Sequence, residues 1–249
     1  MDEIVRRAVA RAIVTMRENL GEDLTIDDLA RSAMFSKFHF SRVFHRVTGL
    51  SPGRFLSALR LAEAKRLLLT TAVSVADISH QVGYNSVGTF SARFSNSVGV
   101  SPTAYRRMCG QPSIPERPTA QASGLVVRGQ LWRPAATEIS AVFVGLFPHR
   151  IAEGAPARHS VLHGPGQYVL ENVPAGSWYL LAHALGTAHG DDTGPRPYVG
   201  LTGPLTVRPG LTATLADIRL KPRRGFDPPL LLALPDLRRV AVQQPVAVA

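Results

Sequence analysis

Reactive side chains are few along this chain, and their spacing excludes more chemistry than it permits. The single cysteine, Cys109, sits in Arg107-Met-Cys-Gly110, which closes off an internal disulfide framework and a cysteine-based zinc ribbon. A reducing compartment is the simplest setting for it. His39, His45 and His80 show no spacing that a metal demands. His183, His189, Asp191 and Asp192 bring ligand-type side chains to a glycine-rich stretch, but without compact spacing they read as a solvated loop. Trp132, Trp178 and Tyr179 have two readings: core packing first, stacking on a sugar or aromatic effector second. No Gly-x-Ser-x-Gly, phosphate loop or paired-carboxylate arrangement is present, so neither an enzyme nor a cofactor is expected.

Charge offers a positive clue where catalysis offers none. The chain carries 28 Lys and Arg against 18 Asp and Glu, a net charge of +10, with six of those charges on residues 1–109. A basic amino-terminal half points to an anionic partner, nucleic acid before others. With 45% apolar residues the chain can bury a core. Its longest apolar stretch, Ile139 to Phe147, is nine residues and too short for a bilayer. No basic segment followed by an apolar one opens the chain, so a cytoplasmic protein without membrane association is expected.

Glycine and proline divide the chain in two. Residues 1–109 hold 6 of the 21 Gly and 2 of the 19 Pro, so the first half is expected to be helical and the second β-rich. Within the first half, Leu24-Thr-Ile-Asp-Asp-Leu-Ala30 matches Val73-Ser-Val-Ala-Asp-Ile-Ser79. The match continues through Phe40/Phe90, Phe44/Phe94, Gly49/Gly99, Ser51-Pro52/Ser101-Pro102 and Phe55/Tyr105, with one extra residue in the second copy's turn. Thr25 and Ser74 are expected caps with an acid three residues on; Gly49 and Gly99 are expected stops. An apolar stripe from Val5 to Leu20 forms a preceding helix. Each unit is then a helix-turn-helix, whose second helix can enter a major groove. Phe40, Val43, Phe44 and Val47 face inward in the first; Phe38, Ser41, Arg42 and His45 face out. In the second, Phe90, Phe94 and Val98 face inward, leaving Val87, Gly88, Ser91, Ala92 and Ser95 outside.

These residues carry a resemblance. Val75-Ala-Asp-Ile-Ser-His-Gln-Val-Gly-Tyr-Asn-Ser-Val-Gly-Thr-Phe-Ser-Ala-Arg-Phe94, followed by Gly99-Val-Ser-Pro-Thr-Ala-Tyr-Arg106, resembles the AraC/XylS family of bacterial transcription regulators over residues 10–108. The resemblance implies seven helices, a connecting helix over about 52–69, and two recognition helices in successive major grooves about 34 Å apart. The implied base-facing residues are Phe38, Ser41, Arg42 and His45 with Ser86, Val87, Gly88, Thr89 and Ser91; Ser36, Lys37, Arg46, Arg93 and Arg106 are implied phosphate contacts. Arg42 leads as a reader of guanine, since Ala92 stands at its counterpart; Phe38, Val87 and Thr89 suit thymine methyls. The family often has glycine in the first turn, where this chain has Met34, and a left-handed backbone there would be strained. Arg60, Lys65 and Arg66 on the connecting helix are expected to line a solvated face, one within reach of a phosphate. The nucleophilic Pro-Cys-His-Arg setting of related DNA-alkyl-repair fusions is absent around Cys109.

The family's sensor usually precedes its DNA-binding unit, so here a sensor is expected after it. Strands are expected at 125–132, 139–147, 167–171, 178–185, 205–207 and 212–220. Gly164-Pro-Gly-Gln-Tyr-Val-Leu-Glu-Asn-Val-Pro-Ala-Gly-Ser-Trp-Tyr179 resembles the carboxypeptidase regulatory-like, prealbumin-type sandwich. The expected fold is multidomain: an all-α tandem helix-turn-helix (1–109), a linker (110–121), an all-β sandwich (122–220) and a tail (221–249). Its apolar, proline-bounded stretch 227–235 packs on a domain or forms a dimer contact. The expected function is sequence-specific binding of double-stranded DNA in transcription regulation, with an unknown small-molecule effector and RNA polymerase as further partners. A constitutive DNA binder with a carbohydrate-binding or protein-docking β domain is the alternative.

Overall fold

The computed structural model describes residues 3–109, 124–135, 137–188, 196–210 and 213–233. The expected linker 110–121, together with His189, Asp191, Asp192 and the tail from 234, lies outside the described residues. The chain forms two compact units, one of residues 1–110 and 224–233, the other of 111–223 and 234–249. No helix among the described residues is long and apolar enough to cross a membrane.

Seven helices build the first unit: α1 (Glu3–Glu18), α2 (Ile26–Ser32), α3 (Lys37–Thr48), α4 (Pro52–Thr70), α5 (Val75–Gln81), α6 (Val87–Val98) and α7 (Pro102–Arg107). Local chemistry explains their ends. Thr25 and Asp28 form a reciprocal capping box at α2, the Asp28 N–H donating to Thr25 Oγ1 at 3.2 Å and the Thr25 N–H to Asp28 Oδ2 at 3.0 Å. The Thr25 hydroxyl and N–H hold the Asp28 carboxyl below its ordinary pKa. Ser51 and Ser101 cap α4 and α7 ahead of a proline, where a missing N–H costs nothing. Gly49 and Gly99 end α3 and α6 in the left-handed conformation, at φ 78° and 97°.

The internal repeat extends to backbone detail. After α2, the Met34 N–H donates to Arg31 O and that of Phe35 to Ala30 O; after α5, Gly83 and Tyr84 repeat the pattern to His80 O and Ser79 O. Both turns require positive φ, 61° at Met34 and 81° at Gly83. The cores repeat too. Phe40, Phe44 and Phe55 are fully buried, with ring centroids 5.4 Å apart at each step. Phe90, Phe94 and Tyr105 reproduce this at 5.7 Å. Truncating any of these phenylalanines to alanine costs roughly 3–5 kcal/mol. Helix α4 packs against α1 and α3 on one side of the repeat and α5 and α7 on the other, and is buried round much of its circumference.

The second unit holds β1 (Val126–Trp132), β2 (Thr137–Phe147), β3 (His159–Leu162), β4 (Gly166–Leu170), β5 (Gly176–Ala188), β6 (Arg196–Val207), β7 (Ala213–Leu215), β8 (Ile218–Arg219) and β9 (Lys221–Pro222). One sheet runs β4-β1-β7 with β8 also on β1; the other runs β3-β2-β5-β6-β9. Val127 and Leu131 from the first sheet share one core with Val142, Val144, Leu180 and Ala182 from the second. The Tyr168 hydroxyl donates to Ala216 O, and burial pushes that phenol well up. Two expectations need correction. Strand β3 lies outside the expected set, because its short run His-Ser-Val-Leu has too little alternation to read as a strand. Strand β6 is twelve residues, not the three of 205–207. Pro197, Gly200, Gly203 and Pro204 disguise it. Gly200 is needed because a Cβ there would come within 2.7 Å of Ile218, and Gly203 and Pro204 form a bulge of β6 opposite Tyr179 alone, shifting the register between Trp178 and Leu180.

Candidate nucleic-acid interface

Helices α2 and α3 form one helix-turn-helix, α5 and α6 the other, and each second helix turns one apolar face inward. Burial is complete for Phe40, Phe44, Phe90, Phe94 and Val98, near-complete for Val43 and partial for Val47. That orientation leaves a readable outer row on α3. Phe38 is 85% exposed, and Arg42, His45 and Arg46 are exposed beside it. Among the described residues no hydrogen bond or ion pair engages the Arg42 guanidinium. Ser41 is half-buried and its hydroxyl donates to Lys37 O at 2.9 Å.

The amino-terminal ends of the two helices differ. Ser86 caps α6, accepting from the Thr89 N–H at 3.3 Å, whereas the Ser36 hydroxyl makes no cap bond at α3. Its exposed oxygen therefore stands with the uncapped N–H groups of α3, an arrangement suited to an anion. Lys37 pairs with Asp27 at 2.9 Å, both half-exposed, so the pair is weak and exchangeable. On α6, Val87, Gly88, Thr89 and Ala92 are exposed and Ser91 half-buried. Within 4 Å a Cβ on Gly88 would meet only Ser86 Oγ, so bare backbone faces out there.

Several cations have inward partners that spacing could not indicate. The Arg106 guanidinium donates to Leu68 O at 3.1 Å and Val73 O at 2.6 Å, bracing the joint between α4 and α5. Arg93 Nε donates to Ser57 Oγ of α4 at 3.4 Å. The solvated face expected of Arg60, Lys65 and Arg66 is corrected for two of the three. Arg60 donates to Leu20 O at 2.9 Å and Glu22 O at 2.6 Å, while Lys65 is turned onto backbone carbonyls and only Arg66, paired with Glu63, faces water. Carbonyls left over at helix ends and loops accept these charged donors more strongly than neutral ones.

In the second unit, Trp178 is buried, with its indole N–H donating to Pro174 O at 2.8 Å, and Tyr179 is half-buried. Trp132 is 49% exposed at the end of β1. No group of three metal-ligating side chains occurs among the described residues.

The family described as helix-turn-helix domain matches residues 29–108. The transcriptional activator AarP of Providencia stuartii is 33% identical over 98 residues, 39% of this chain and 73% of AarP. The lactose operon transcription activator of Staphylococcus xylosus is 31% identical over 104 residues, 42% of this chain but 37% of that protein. Among solved structures, the DNA-binding domain of AdpA in complex with a target DNA is 32% identical, covering 40% of this chain and 89% of that one at a TM-score of 0.39. The chain belongs to the AraC-type family of helix-turn-helix transcription regulators, whose DNA-binding unit occupies residues 29–108 and engages double-stranded DNA. It spans most of AarP but little more than a third of the lactose operon activator.

Proposed function

We propose that this protein regulates transcription by reading a bipartite DNA site with α3 and α6 in two successive major grooves. The observation that carries this is the exposed row Phe38, Arg42, His45 and Arg46 on α3, with an unengaged guanidinium at its centre. Arg42 pairs with a guanine edge, and Phe38, Val87 and Thr89 contact thymine methyls. His45, Ser41, Ser86, Gly88 and Ser91 complete the groove-facing sets, with Gly88 admitting close approach of the α6 backbone. Ser36, Lys37, Arg46 and Arg93 meet phosphates, and Lys37 releases Asp27 to do so. Arg106, with two carbonyls already bound, acts mainly as a brace.

The second unit is read as a prealbumin-type β-sandwich, fused through the linker 110–121, that senses an effector or mediates assembly in a cytoplasmic regulator contacting RNA polymerase. The exposed Trp132 supports the second reading, a carbohydrate-binding or docking module on a constitutive DNA binder. Footprinting on selected operator DNA tests the main reading. Two protected stretches one turn apart on one face are expected, with affinity falling about 0.9 log units per log salt for each phosphate neutralised. Protection of a single groove turn, or binding indifferent to salt, would contradict it.

A further inference from the structure

Residues 224–233 fold with the first unit although 111–223 fold with the second. This segment contains Asp227-Pro-Pro-Leu-Leu-Leu-Ala233, an apolar run led by two prolines. It is seated with unusual completeness. Leu231 and Leu232 are fully buried, Ala233 nearly so, and Pro229 is buried with them. Lys65 Nζ of α4 donates to three consecutive carbonyls, Leu230 O at 3.3 Å, Leu231 O at 3.0 Å and Leu232 O at 3.2 Å. All three donors of one ammonium group are thereby used on one curl of backbone. The same Nζ lies 5.7 Å from the Tyr105 ring centroid of α7, over its face. The Ala233 N–H donates to Val98 O, the last carbonyl of α6, at 3.1 Å.

From this geometry we infer that residues 228–233 are a built-in peptide ligand of the DNA-binding unit, docked on Lys65 of α4 and on the carboxyl end of α6 and setting the position of the second recognition helix. Three features support a ligand rather than an incidental tail. The covered surface belongs to the stretch matched by the family, whereas its occupant lies far outside it. Pro228 and Pro229 hold the segment extended before it binds and remove competing N–H groups, so less order is lost on docking. And the contacts fall on two different helices, α4 and the carboxyl end of α6, so docking constrains their mutual arrangement.

The consequence for half-site recognition rests on the DNA-binding reading above, but the docking itself does not. The test uses full-length protein carrying Leu231→Asp with Leu232→Asp, and separately Lys65→Met, which keeps the apolar stem. A synthetic peptide of residues 227–233 is then added at millimolar concentration, comparable to the effective concentration of a tethered segment. Amide hydrogen exchange is read without DNA, and footprinting with it. In the double variant the last turn of α6 and α7 should exchange at least tenfold faster, with α1–α3 unchanged, and the peptide should restore protection. Lys65→Met should give a smaller change at the same amides. DNA affinity should fall about tenfold, with protection lost at one half-site. Unchanged exchange in both variants would overturn the inference. So would loss of protection throughout α1–α7 that the peptide does not restore, since the segment would then be ordinary core. Protection that rises with protein concentration would assign the segment to a second copy and overturn it too. A parent protein without DNA affinity would refute the DNA reading alone, because exchange is measured in its absence.

Discussion

The two helix-turn-helix turns share one backbone conformation but hold different residues, and substitution should move stability in opposite directions. Met34 sits at φ 61° with its side chain 80% exposed, so it bears left-handed strain and contributes little packing in return. Replacing it with glycine removes roughly 1–2 kcal/mol of strain. The added freedom of the unfolded chain offsets roughly 0.4–1 kcal/mol. The Met34 N–H bond to Arg31 O at 2.9 Å survives, since it uses backbone alone. Met34→Gly should therefore stabilise the first unit by about 0.5–1 kcal/mol, a rise in Tm of roughly 2–8 °C. Gly83→Ala should do the reverse. Its Cβ would lie 2.4 Å from Leu20 O and 2.6 Å from Arg60 Nη2, disturbing the bonds of Arg60 to Leu20 O and Glu22 O. Strain and lost bonds together should cost about 3 kcal/mol. Urea denaturation of the full chain followed by helical circular dichroism measures both. A Met34→Gly protein less stable than the parent, or a Gly83→Ala protein within about 0.5 kcal/mol of it, would refute the argument.

Arg42→Ala should relax discrimination at one G·C pair by about 1–3 kcal/mol, whereas Lys37→Ala should weaken all sequences alike and reduce the salt slope by about 0.9; selection on randomised DNA distinguishes them. Arg106→Ala should lose about 1–3 kcal/mol of stability by stranding Leu68 O and Val73 O, with the salt slope of DNA binding unchanged. An unaltered stability with a smaller slope would place Arg106 on a phosphate instead. Burial pushes the Lys65 ammonium down to about 8 from 10.5. The unfolded chain then binds the extra proton between those values, so stability should rise with pH across that window. Lys65→Met should abolish the rise, and denaturation curves of both proteins that run parallel in pH would refute it.

Much of the DNA-binding unit is legible in the linear order of residues because its causes are local. A cap at Thr25 acts on an N–H three residues away, and Phe40 and Phe44 meet because helical geometry stacks positions four apart. The repeat and the outward row on α3 follow from such short-range rules. Strand β6 was poorly legible because its glycines and prolines answer to partners on β5 and β8, not to the run they interrupt. The charged residues of α4 were illegible for a related reason. Arg60, Lys65 and Arg66 look alike in any window, each a cation on a helix surface. What separates them is where unsatisfied carbonyls arrive, and those of Leu230, Leu231 and Leu232 arrive from as far as 167 residues away. Periodicity can tell which side of a helix is apolar; only the folded chain decides which polar side chain finds a backbone acceptor in place of water, because that acceptor belongs to another segment.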